Sequence, residues 1–350
     1  MQYEEIIHEF IEQYKDEDDI LGIIFYGSSN YKKDTSGSDI DLLFITDGDR
    51  NYKGTTYIGG KKIEYFEKNI YYLLGKIDKL EGSSDRSLIS IFMNGTIIYS
   101  KGSVVQYLKD EIMSMNKGCS SKKRDRFQER ILMEFHECFQ ELDEDSKWFK
   151  YVFYNLLDIV RKKYHEANGF SRIGSLKASQ LYLDREYAEK YYCVILPNQD
   201  FIDLYLDLFL NGYEKQKMDM LFSLIHINDK IVPVRDKNNF NYYSKVELKY
   251  ISTIVNNMVD KSTDYFKQGN DSFEGSYYIT LERIRRLYCY ISEINDSFRL
   301  EFQDYDNKFL ELFYSCINGK KDIELLKQLF NYVVESLHMD YKNYKILELS

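Results

Sequence analysis

Leu21–Thr46, LGIIFYGSSNYKKDTSGSDIDLLFIT, is the stretch on which the reading of the fold turns. Its first run, Leu21 to Tyr26, is apolar, short and rich in strand-forming residues, which predicts a buried strand that breaks at Gly27, Ser28 and Ser29. Its second run, Asp39 to Thr46, places two acids two residues apart. Side chains alternate along a strand, so Asp39 and Asp41 point to one face while Ile40, Leu42 and Phe44 point to the other. Two carboxylates held that close repel, and the arrangement makes chemical sense mainly around a cation. Gly27 lets backbone amides approach a ligand, and the hydroxyls of Ser28 and Ser29 suit phosphate oxygens.

A strand, a Gly-Ser pair and then an Asp-x-Asp strand resembles the signature of the polymerase-β-like nucleotidyltransferase superfamily. The resemblance covers about residues 20 to 100. It implies that Gly27, Ser28, Ser29 and Ser38 contact the nucleotide, and that Asp39 and Asp41 hold two Mg²⁺ ions. A third carboxylate on a later strand is also implied. Thr55–Ile58 and Lys61–Phe66 flank Gly59 and Gly60, a pair that predicts a two-residue hairpin turn because both residues tolerate positive φ. Glu64 lies on the second arm between Ile63 and Tyr65, which would face the core, and shares its own face with Lys62 and Phe66. By analogy with the family, Glu64 completes the metal site and the catalytic set; Glu67 is its rival. One departure from the antibiotic-modifying members is the loop after Ser28, where Asn30, Tyr31, Lys32 and Lys33 stand in place of small residues.

The chain has 350 residues, enough for two or three domains. Hydrophobic residues make up 44% and aromatics 16%, with 33 Tyr and 22 Phe but only 2 Pro, a balance that favours a sizeable core and long helices. Net charge is −10. Residues 1 to 112 hold 13 Lys plus Arg against 20 Asp plus Glu, so the part with the motif is the more acidic. That balance argues against broad nucleic-acid binding, without excluding it, and permits a cationic second substrate. The five Cys are scattered without the short paired spacings of zinc sites, and read as reduced thiols. No signal segment and no run of about eighteen apolar residues is present, from which a cytoplasmic protein without membrane contact is expected.

Ile6, Ile7, Phe10, Ile11 and Tyr14 recur at helical spacing and predict a helix over residues 2 to 15. Asn69 is placed to cap a helix through Ile77, Ser84 or Asp85 another through Met93, and Thr96 to Ser100 reads as a last strand followed by a helix from Val104 to Met115. Residues 116 to 126, NKGCSSKKRDR, read as a linker. Lys122, Lys123, Arg124 and Arg126 suit a polyanion contact, although a solvated connector explains them more simply. Beyond it Phe127, Ile131, Phe135, Cys138, Phe139 and Leu142, then Phe149, Phe153, Leu156, Leu157 and Val160, form stripes suited to a helical bundle. The expected class is α+β, with a nucleotidyltransferase domain of mixed sheet and flanking helices over 1–115. A mainly helical region follows over 127–233 and 245–350.

The resemblance extends more loosely to antibiotic-modifying enzymes of the aminoglycoside and kanamycin type. It implies Mg-dependent transfer of a nucleoside monophosphate, AMP from ATP or the equivalent from another nucleoside triphosphate, to a hydroxyl of a small molecule such as an aminoglycoside, which would make this a resistance enzyme. Two alternatives stand beside it, a toxin-like transferase acting on tRNA or protein and a non-catalytic module that keeps the fold. Glu134 and Glu137 could line the acceptor side, or form an ordinary charged helix face. Lys163, Arg172 and Lys177 flank a turn that could approach the triphosphate.

Overall fold

Both apolar runs around the Gly-Ser loop become strands of one sheet. The computed structural model describes residues 3–14, 17–31, 39–48, 51–77, 87–114, 126–171, 173–224, 245–292, 305–319 and 321–336. They divide into two compact units, the first drawn from 1–120 and 185–195 and the second from 121–184 and 196–339. The first unit runs α1 (Tyr3–Glu12), β1 (Ile20–Tyr26), α2 (Ser28–Tyr31), β2 (Ile40–Thr46), β3 (Asn51–Ile58), β4 (Lys61–Asn69), α3 (Ile70–Ile77), α4 (Ser87–Asn94), β5 (Thr96–Ser100) and α5 (Val104–Ser114).

The sheet order is β3-β4-β2-β1-β5. β2 is central, antiparallel to β1 and parallel to β4, while β3 and β5 pair antiparallel at the two edges. The β3–β4 hairpin turns on Gly59 and Gly60, whose φ values of 57° and 77° are those a type I′ turn demands. Alternation sorts the two layers. Ile40, Leu42 and Phe44 of β2, with Ile63 and Tyr65 of β4, pack on Ile6, Ile7 and Phe10 of α1. Leu43 and Ile45 face the other way, against Leu73 and Ile77 of α3, Ile89 and Phe92 of α4, and Val105, Leu108 and Ile112 of α5. Asn69 caps α3 as its sequence predicts: its side-chain oxygen accepts from the amides of Tyr71 at 2.7 Å and Tyr72 at 3.2 Å.

The second unit is helical. It contains α6 (Arg126–Glu141), α7 (Phe149–Asn168) and α8 (Ser175–Leu183); α9 (Arg185–Tyr191) belongs to the first unit; and α10 (Gln199–Asn211), α11 (Lys215–Leu224), α12 (Lys245–Lys267), α13 (Phe273–Ile291), α14 (Asn307–Asn318) and α15 (Ile323–Ser336) complete it. Within the first unit α9 docks on α4, where Ser90 and Asn94 donate to the Tyr191 carbonyl at 2.7 and 3.1 Å. No helix among the described residues is long and apolar enough to cross a membrane. Cys138, Cys193, Cys289 and Cys316 are free thiols, and Cys119 lies outside the described residues.

α7 is buried on nearly every side, so its apolar stripe of Phe149, Phe153, Leu156, Leu157 and Val160 is joined inside by Asp158, Arg161 and His165. Each of these has partners, as buried polar groups require. Asp158 accepts from Arg161 at 2.8 Å, from Ser175 at 2.8 Å and from Lys162. On α13, Glu282 accepts from Arg285 at 2.7 and 2.9 Å, from Arg286 at 2.7 Å and from Tyr151. His165 lies between the Ser171 carbonyl, 2.6 Å from Nδ1, and the Tyr182 hydroxyl.

Burial alone would raise the Asp158 and Glu282 carboxyls, yet the neighbouring cations outweigh it and hold Asp158 well below the carboxylate range and Glu282 at about 2. Burial lowers His165 to about 3. All three folded values lie below their unfolded ones, so their contributions are complete above the unfolded pKa and are lost as pH falls. Stability should decline in two stages, first below about 6.5 as unfolded His165 takes a proton, then more steeply below about 4 as the carboxylates do. Thermal unfolding followed by circular dichroism between pH 8 and 3 checks this, and equal midpoints at pH 7 and pH 3 would contradict it.

Candidate active site

Three strand ends assemble the site. β1 delivers Gly27 immediately after Tyr26, β2 delivers Asp41, and β4 delivers Glu64. Tyr26 is the antiparallel partner of Asp41, and Asp41 is the parallel partner of Glu64. Directly paired residues share a face, so the carboxylates of Asp41 and Glu64 lie side by side on the α3–α5 side of the sheet. Glu67, three residues further on, points to the opposite layer. There it is buried opposite Phe44 and Tyr52, and its charge adds a little to the upward shift that burial imposes on the Tyr14 and Tyr65 hydroxyls. Asp39 lies one residue before β2 begins.

Gly27 is required twice over. Its φ of +82° is left-handed, and a Cβ there would lie 2.1 Å from Oδ2 of Asp41. Ser28 opens the single turn of α2. Ser29 is buried, and its hydroxyl donates to the Asp39 carbonyl, which ties the start of the loop to the entrance of β2. Asn30 fastens the same loop elsewhere: its amide donates to the Asn94 carbonyl at 3.0 Å, and its oxygen accepts from Thr96 at 2.8 Å. The residue that departs from the small loop positions of the antibiotic-modifying enzymes thus has a structural task here. Ser38 falls outside the described residues, as do Lys122, Lys123, Arg124 and Arg172.

Two lysines complete the electrostatics. Lys53 and Lys62 reach Glu64 at 2.9 and 2.8 Å, and Lys62 also lies 3.5 Å from Asp39. Burial alone would raise Glu64, but hydrogen bonds and charge from these ammonium groups hold its carboxyl below the usual range. Among the described residues, no three acidic, His or Cys side chains converge on a metal position. The cation bridging Asp39 and Glu64 in this structure is the Lys62 ammonium. Lys62 was visible in the sequence as sharing the face of Glu64. Lys53 was not, because its approach depends on the register of β3, where Thr55 pairs with Glu64. On the helical unit Glu137 is exposed and Lys163 pairs with Glu166 at 3.0 Å, while the Glu134 side chain lies outside what is described.

A glycine pressed on a registered acid pair behind a Gly-Ser turn is the geometry that a family comparison can identify. Residues 5–99 match the family model of the nucleotidyltransferase domain. The first unit therefore carries a nucleotidyltransferase domain. A nucleotidyltransferase-like protein from Exiguobacterium sibiricum 255-15, known from its crystal structure, is similar at 15% identity, over 76% of this chain and 91% of its own, with a TM-score of 0.33. No curated protein matches the chain.

Gly27→Ala tests how tightly the nucleotidyltransferase domain depends on that approach. The left-handed backbone alone costs an alanine about 1–2 kcal/mol, and the clash with Asp41 adds to it. The variant should unfold several degrees below the parent in a thermal melt, whereas Gly60→Ala, whose Cβ would meet nothing within 4 Å, should lose only the backbone contribution.

Proposed function

We propose that this chain transfers the nucleoside monophosphate of a nucleoside triphosphate, with ATP as the first candidate, to a hydroxyl of a small molecule, and releases pyrophosphate. The observation that carries the proposal is the in-register pairing of Asp41 with Glu64 beside a glycine that leaves room for no side chain. A bond forms from the acceptor oxygen to the α-phosphorus, and the bond from that phosphorus to the bridging β-phosphate oxygen breaks. The acceptor's proton passes to a carboxylate.

The donor set suits Mg²⁺, because Asp39, Asp41 and Glu64 offer only hard carboxylate oxygens, and Lys62 already bridges two of them as a positively charged stand-in. Bound there, two Mg²⁺ ions would supply Lewis-acid neutralisation of the reacting phosphate. The chain's own groups do the rest. Asp39, Asp41 and Glu64 would hold the ions, the Gly27 backbone and Ser28 would hold the leaving phosphates, and Ser29 holds the loop in place through the Asp39 carbonyl. The more acidic N-terminal part of the chain favours a cationic acceptor, and an aminoglycoside-type amino sugar joins positive charge to abundant hydroxyls.

Incubation with Mg²⁺, each labelled nucleoside triphosphate and separate pools of aminoglycosides, lincosamides, tRNA and cell protein tests the reading. Label should enter a small-molecule pool; label confined to tRNA or protein would reject that acceptor class. Asp39→Asn and Asp41→Asn should each lower turnover by about a thousandfold or more, and Glu64→Gln should be severe. Glu67→Gln should leave most activity, since Glu67 lies on the other face of the sheet. A greater loss from Glu67→Gln than from Glu64→Gln would overturn the assignment of the third carboxylate.

Lys62 gives a test independent of turnover. An ammonium bridging Asp39 and Glu64 competes with any divalent ion, so Lys62→Met should bind Mn²⁺ about tenfold more tightly in calorimetry. Unchanged or weaker Mn²⁺ binding would mean that Lys62 does not occupy the ion's place.

A further inference from the structure

The sheet face that carries the acid pair continues outward onto β3. Register sets Thr55 beside Glu64 and Tyr57 beside Lys62, and directly paired residues share a face. Side-chain contacts agree with the alternation. The Lys53 ammonium, two residues before Thr55, reaches Glu64 at 2.9 Å and lies 5.1 Å from the centre of the Phe66 ring. Tyr52, of the opposite alternation, turns to the other layer and meets Tyr65 edge-on at 6.1 Å. Lys62, the partner of Tyr57, ends 2.8 Å from Glu64 and 3.5 Å from Asp39. Tyr57 therefore stands on the acid face, one strand beyond Glu64.

Helices α3, α4 and α5 cover the part of this face that carries Leu43 and Ile45. Tyr57, at the hairpin end, is left 67% exposed. It is a diagonal neighbour of Glu64, a separation of about 7–8 Å that lies within reach of an aromatic side chain. One exposed aromatic is ordinary by itself, and what distinguishes Tyr57 is its place along the direction of the reaction. In-line displacement sets the attacking oxygen and the leaving pyrophosphate on opposite sides of the α-phosphorus. Because the strands lie in the order β1, β2, β4, β3, the end of the sheet presents Gly27 and Ser28 first, then Asp41, then Glu64, then Thr55 and Tyr57. With the leaving phosphates at Gly27 and Ser28 and the α-phosphorus over the acid pair, an acceptor hydroxyl arrives from the β3 side, across Tyr57.

We infer that Tyr57 is the acceptor-holding, specificity-determining residue of this site, a platform for a cyclic amino sugar whose ring lies on the phenol ring while one hydroxyl turns toward the acid pair. The inference rests on the nucleotidyl-transfer reading above, and its site lies wholly within the first unit. A sugar ring offers an apolar face of C–H groups to an aromatic surface, and the negative face of the phenol ring attracts an ammonium carried at the sugar's edge. An anionic acceptor gains nothing from that negative face.

The test is steady-state transfer by the full-length protein with Mg²⁺, labelled ATP and kanamycin as the probe amino sugar. Tyr57→Ala should raise the KM for kanamycin about fivefold or more while the KM for ATP does not move, and Tyr57→Phe, which keeps the ring, should stay within about twofold of the parent. Tyr71→Ala, which truncates a tyrosine 74% exposed on α3, beyond the far end of β4, should change neither constant. If Tyr57→Ala does not fold, Tyr57→Thr keeps a strand-forming side chain and serves in its place with the same expected rise. An unchanged KM for kanamycin in the ring-less variant overturns the inference and leaves the transfer reaction standing. So does a parent protein that transfers nucleotide to another acceptor pool and not to kanamycin. Equal rises in the KM for ATP and for kanamycin would move Tyr57 to the nucleotide side and also overturn it. A parent protein that transfers nucleotide to no acceptor overturns the nucleotidyl-transfer reading, and this inference with it.

Discussion

The parallel pairing of β2 with β4 is the constraint on which the nucleotidyltransferase domain rests. That one register decides that Asp41 meets Glu64 and not Ile63 or Tyr65. It is enforced from both sides, because β2 carries Ile40, Leu42 and Phe44 to one apolar layer and Leu43 and Ile45 to the other. A slip by one residue would exchange the layers and bury Asp41 against α1. The hydrophobic effect, which has no directional preference of its own, thereby positions two like charges that would otherwise move apart. Lys53 and Lys62 both reach the Glu64 carboxylate and offset its share of that repulsion.

The helical unit meets the same problem with a different balance. Among its described residues the buried carboxylates Asp158 and Glu282 are each wrapped by several hydrogen bonds from cations and hydroxyls. Removing one partner from such a cluster is more damaging than never having built it, since the remainder keeps its desolvation without its compensation. One consequence is that α7, packed on nearly all sides, is held by hydrogen-bonded ionic groups as well as by its phenylalanines.

Much of this was legible beforehand because it follows from local rules. Period-two alternation placed Asp41 opposite Leu42, Gly59-Gly60 announced the hairpin, and Asn69 announced a cap that it makes. Phe149 to Val160 read as a core stripe and are one. What escaped depends on contacts distant in the chain. That Asn30 joins Asn94 and Thr96 cannot be read from its neighbours, and neither can the return of Arg185–Ile195 to the first unit, since a short helix carries no label for the surface it docks on. The burial of Asp158, Arg161 and Glu282 escaped because periodicity counts apolar residues and is silent on polar groups that satisfy one another inside.

The bond from Ser29 to the Asp39 carbonyl has a bearing on how such a site diversifies. Together with the two contacts of Asn30, it clamps both ends of the Gly-Ser loop to the sheet and to α4. Closing a somewhat longer loop between fixed ends costs little extra entropy, because the penalty grows only with the logarithm of length. A change in the length of chain between Ser29 and Asp39 therefore costs the domain little, because the bond between those two residues already fixes its ends.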